Sequence, residues 1–119
     1  MFASPAAGDD VGGSEDEYAT VALAMKSLQA KSGVRVSQQS GWTVIEEPST
    51  LSLWSFTPES HPANPAVVHR KIIQEGDDLF VRMHVLCEAS KPACDTLTSD
   101  FEKLNQQMTE NLRQRKTPR

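Results

Sequence analysis

Tyr18, Val21, Met25 and Leu28 recur at i, i+3, i+7 and i+10, with Ala22 and Ala24 between them. That spacing draws one apolar stripe along a helix. Ser14-Glu15-Asp16-Glu17 stands just ahead of it and matches a capping box, with Ser14 as N-cap and Glu17 at N3. The acids of that turn suit the positive end of a helix dipole. Gly33 is placed to close the helix as a C′ residue, so the pattern predicts a helix over about 15–31.

From Val34 the period changes to two. Val34 and Val36 alternate with Arg35 and Ser37, and Gln38-Gln39-Ser40-Gly41 turns the chain into Trp42-Thr43-Val44-Ile45. After a turn at Glu47-Pro48-Ser49-Thr50, the run Leu51-Ser52-Leu53-Trp54-Ser55-Phe56 reads as a third strand. The stretch 58–65 carries three prolines and reads as a loop. Two more strands, 66–74 and 79–87, flank Glu75-Gly76-Asp77-Asp78, a strong hairpin signal. Leu79, Val81, Met83, Val85 and Cys87 alternate cleanly along the last strand.

A second helix opens near Ser90-Lys91-Pro92, since proline suits a first helical turn, where its missing N–H has no helical partner. Leu97, Phe101, Leu104, Met108 and Leu112 form its stripe, and Arg113, Arg115 and Lys116 sit at the end that favours cations. The order α-β-β-β-β-β-α predicts an α+β fold: a five-stranded antiparallel sheet with the N-terminal and C-terminal helices packed on one face.

A chain of 119 residues, 38% hydrophobic and 24% charged, has room for one domain. The patterned part spans 14–113, preceded by a leader rich in small residues over 1–13 and followed by a basic tail, 114–119. No apolar run is long enough for a membrane-spanning helix. A net charge of -4 argues against nucleic acid as the main partner.

Cys87 and Cys94 are the only cysteines. On these assignments Cys87 ends the last strand and Cys94 opens the last helix, a turn that can bring two Cα atoms within the roughly 4.4–6.8 Å a disulfide needs. A disulfide implies an oxidising compartment, periplasmic or secreted; free thiols would fit the cytoplasm. A helix dipole would also favour a Cys94 thiolate, but no C-x-x-C motif accompanies it.

If the hairpin turns between Gly76 and Asp77, facing residues sum to 153. Val68 then meets Val85 and Ile72 meets Val81 on the core side, while His69 meets His84 and Lys71 meets Arg82 on the outer face. If Leu51 and Leu53 face the core, Trp54 and Phe56 join that outer face. Exposed aromatics beside a cationic rim make a contact surface for another protein or an anionic ligand. The plainer alternatives are an outer face that is solvated, a third strand buried on both faces, or rings covered by the 58–65 loop, through Pro62, Ala63 and Pro65. Two histidines with no third ligand at suitable spacing are too few for a metal, and no cofactor is expected. Neither G-x-S-x-G, H-E-x-x-H nor a phosphate or dinucleotide loop is present, and Ser60 beside His61 is not a catalytic pair, so an enzyme is not expected.

The expectation is therefore an exported protein-binding module, adaptor or inhibitor, working through Trp54, Phe56, His69, Lys71, Arg82 and His84. The Cys87–Cys94 loop, with Lys91 and Pro92, offers a second contact, preorganised by its closure. The alternative is a small-ligand carrier or sensor with an apolar cavity between sheet and helices, where Met25, Met83 or Met108 would adapt to an irregular guest.

Overall fold

A computed structural model of the chain describes residues 17–116. The leader 1–13, the capping residues Ser14 to Asp16 and the tail end 117–119 lie outside that span.

The first helix, α1, runs Val21–Ala30, shorter than the predicted 15–31. Thr20 is its N-cap, its Oγ1 accepting from Leu23 N at 3.1 Å. The next free donor, Val21 N, reaches the Glu88 carboxylate at 3.0 Å, an acceptor 67 residues away that no local capping rule reveals. Glu17 lies ahead of the helix, not in its first turn. At the other end Lys31 is the C-cap, with extended backbone, and Gly33 at φ +84° turns the chain toward the sheet instead of capping the helix.

The strands are β1 (Arg35–Gln39), β2 (Trp42–Glu47), β3 (Ser52–Phe56), β4 (Ala66–Glu75) and β5 (Asp78–Cys87), all antiparallel and in the order β1-β2-β3-β4-β5. Ser40 and Gly41 both take positive φ between β1 and β2, the signature of a type I′ hairpin. A 3₁₀ turn, Pro48–Thr50, delivers Leu51 in the left-handed region and 59% exposed, so Leu51 is neither in the strand nor in the core. The β4–β5 register is the predicted one, with Val68 facing Val85, His69 facing His84 and Lys71 facing Arg82.

The last helix, α2, runs Lys91–Lys116. Ser90 Oγ accepts from Ala93 N, and Cys94 N donates to Ser90 O. Cys87 and Cys94 lie at disulfide distance, their Cα atoms 5.8 Å apart, at the strand end and first helical turn expected of them.

The chain thus has the expected five antiparallel strands with a helix before and a helix after, but the two helices pack on opposite faces. Strand alternation sends Val67 and Val68 to opposite sides, and both are buried. Val21, Ala24 and Leu28 of α1 pack on Ile45, Trp54, Phe56 and Val67. Leu97 and Phe101 of α2 pack on the other side with Ala66 and Val68. One sheet with two apolar faces needs two covers, and each helix carries one stripe. Ala63 of the 58–65 loop is buried on the α2 side, so it is α1, not that loop, that covers the aromatic face. The loop is closed by Thr57, whose N–H donates to Ala66 O and whose Oγ1 accepts from Ala66 N and Asn64 Nδ2.

Candidate functional site

The six outer-face candidates do share one face, yet three of them are interior. Trp54 and Phe56 are buried beneath α1, and His69 is buried with them. Trp54 and His69, cross-strand partners, stack with ring centres 3.7 Å apart and planes 2° from parallel. Lys71 is half-buried, while Arg82 and His84 remain exposed. The surface predicted there loses its aromatic anchors. Lys91 and Pro92 are exposed as expected, with Lys91 Nζ paired to Asp95 at 3.0 Å.

His69 is held at both ring nitrogens. Nε2 lies 3.0 Å from Ser52 Oγ and Nδ1 lies 3.2 Å from a Glu17 oxygen, whose other oxygen is 3.5 Å from His84 Nε2. The order serine, histidine, carboxylate is that of a hydrolytic relay. However, Ser52 is 5% and His69 6% exposed, so neither presents an atom to a substrate. These bonds instead fix the segment before α1 to β3, β4 and β5. The third histidine, His61, is also structural: its Nδ1 accepts from Ala63 N and its ring meets Trp42 edge-on at 5.3 Å.

On the same side, Glu47 receives Lys31 Nζ at 2.7 Å and Trp54 Nε1 at 3.4 Å. Burial alone would raise this carboxyl, but the Lys31 hydrogen bond and charge, with Trp54 and Thr50, outweigh it and hold the pKa below its ordinary value. A folded-state pKa below the unfolded one adds stability above the unfolded value and loses it as pH falls through the folded value. Glu47→Gln is therefore expected to melt below the parent at neutral pH, with the gap closing as pH drops below about 4.5. Thermal midpoints measured from pH 7 to pH 3 check this; a gap constant across the series refutes the assignment.

The α2 side holds a different feature. The first half of α2 is seated through Leu97 and Phe101, but Leu104 is 46% exposed and Met108 only half-buried. Between this second half and the sheet lie three adjoining cavities that share Arg70 in their linings and together form a groove. The most apolar has a volume of about 260 Å³ and is walled by Leu51, Leu53, Ile72, Val81 and Met108. The others open toward Leu112 and toward Trp42, and Arg70 lines all three.

Arg70 projects from the middle of β4 and faces Leu53 on one neighbouring strand and Met83 on the other. Its guanidinium carbon lies 4.9 Å from the centre of the Phe101 ring. Its Nε is buried without a hydrogen-bond partner, and burial lowers its pKa from the usual value. Asn105, on α2, contributes a second orphaned buried atom, Oδ1, while its Nδ2 lies 3.2 Å from Met83 Sδ. Glu46 also lines the groove, but its carboxylate is turned to Arg35 at 3.4 Å. Of the methionines considered for a cavity, Met108 lines this one; Met83 packs beside Phe101's cluster and Met25 lies on the far face.

Arg70 is absent from the sequence-based candidates, although a signal for it existed. It sits between Val68 and Ile72 at the same parity, so the alternation that sends those two inward sends a guanidinium with them. Among the described residues no group of three or more His, Cys, Asp or Glu side chains is placed to hold a metal ion, and no helix is long and apolar enough to cross a membrane. Comparison with known protein families, curated proteins and solved structures found no match to this chain.

Proposed function

We propose that the chain is an exported carrier or sensor, periplasmic or secreted, that holds a small molecule in the groove between α2 and the sheet. The observation that carries this reading is the groove itself: a mostly apolar lining around the unpartnered, buried Nε of Arg70, with Arg35 and Glu46 paired to each other beside it, the composition of a small-molecule site. The Cys87–Cys94 pair supports an oxidising compartment. The test is native mass spectrometry of protein recovered gently from the secreting cell. A bound small molecule in the parent, lost when Leu53→Trp fills the groove, supports the reading. Protein recovered without any such adduct, and indifferent to Leu53→Trp in ligand titrations, overturns it.

A protein-binding role survives at the disulfide-closed loop, because Lys91 is 84% exposed there beside Pro92. That version is tested by Lys91→Ala, which should weaken capture of a partner while leaving the circular dichroism unchanged; unaltered affinity removes it.

A further inference from the structure

We infer that the groove selects a single-chain aliphatic carboxylate, with its head on Arg70 and its tail along the second half of α2. This rests on the carrier reading and adds the ligand's chemistry to it. Arg70 is fixed in the middle of a strand, with apolar neighbours in register on both sides, so its side chain has no cross-strand acid to pair with. Its Nε is buried and unpartnered, and the carboxylate that shares the groove, Glu46, is engaged by Arg35. Guanidinium stays charged in proteins, and its planar fork matches a carboxylate with two parallel hydrogen bonds. An anion arriving here meets a donor that the fold has positioned and left unsatisfied.

The rest of the groove sets the body of the ligand. Leu53, Ile72, Val81 and Met108 form its apolar wall, the polar side chains that also line it are engaged elsewhere (Arg35 with Glu46, Ser52 with His69), and Met108 adapts to the outline of a flexible chain. The lobe beside them, about 260 Å³, falls just below the usual range for drug-sized ligands and suits a narrow tail better than fused rings. Leu104 and Leu112 continue the path along α2 past Arg70, with Gln107 and Asn111 beside them.

The test compares decanoate with decanol, both below their aggregation concentrations, by calorimetric titration of the full chain and of Arg70→Met, Arg70→Lys and Leu53→Trp. The parent is expected to bind decanoate at least roughly tenfold tighter than decanol, the scale of a hydrogen bond to a charged group. Arg70→Met should lose that preference yet still bind decanol, and Arg70→Lys should keep part of it. If Arg70→Met fails to fold, the parent's acid-to-alcohol ratio and Arg70→Lys still decide the matter. Equal binding of acid and alcohol by the parent overturns the carboxylate inference and leaves the groove reading standing. No binding of either overturns both. Preference for an acidic amphipathic peptide over decanoate, or self-association that decanoate does not reverse, also overturns the inference by assigning the groove to another occupant.

Discussion

Trp54→Ala is expected to lower stability by about 3–5 kcal/mol, the usual cost of emptying a large aromatic from a core. The ring is 2% exposed, and it is enclosed by α1, by His69 stacked at 3.7 Å and by Tyr18 at 5.6 Å between ring centres. Its Nε1 also donates to Glu47, so the substitution removes a hydrogen bond from a carboxylate already held down by Lys31. Against a typical total of about 5–15 kcal/mol, that leaves a domain of this size close to unfolded. Trp54→Phe keeps much of the volume and should cost less. Urea unfolding followed by far-UV circular dichroism measures both, and the slope of the transition shows whether ΔG is comparable between variants. A cost below about 0.5 kcal/mol for Trp54→Ala would mean that the ring faces solvent, as in a surface anchor for a partner.

Opening the Cys87–Cys94 bond should be the next largest effect. The cysteines are seven positions apart, and closing so short a loop stabilises a fold by about 2.5 kcal/mol on the chain-entropy account. Reductant is expected to lower the urea midpoint of the parent by a corresponding amount and to leave Cys87→Ala/Cys94→Ala unaffected. The double variant should start low, because Cys87 also packs in the Leu97–Phe101 cluster. Thiol titration gives an independent check: unreduced protein denatured without reductant should expose no reactive thiol. Two reactive thiols would remove both the stability effect and the support for an oxidising compartment.

The elements were legible because each carried its period over enough residues. The stripe Tyr18, Val21, Leu28 and the alternation Leu79 to Cys87 left little choice of helix or strand, and the Gly76 turn fixed which residues face across β4 and β5. The side on which each helix lies was not legible. Val67-Val68 reads equally as one inward residue with a neighbour or as two inward residues on opposite sides. Only the second is true here, and it needs both helices in place to be seen. The error at the candidate surface followed from this. A sheet with one cover leaves Trp54, Phe56 and His69 to solvent, whereas the alternative of a third strand buried on both faces puts Trp54 and Phe56 inside, where they lie. The start of α1 has two possible local caps in the sequence, Ser14 and Thr20; Thr20 caps it, helped by Glu88, distant in sequence, which accepts from Val21 N. Arg70 was readable in principle, since a lone cation inside an inward-facing set costs too much to be accidental unless something receives it.

The bond from Val21 N to the Glu88 carboxylate also orders how the parts come together. Each strand of this sheet pairs with its neighbour in sequence, so every ladder closes by a short local search. A helix of ten residues is marginal by itself in water, and α1 has no apolar floor until β2, β3 and β4 are aligned. Its last N-terminal acceptor arrives only when the chain has passed the end of β5. The short connection from β5 to α2 is thus the point where both covers of the sheet are fastened, one through Glu88 and the other through Cys87.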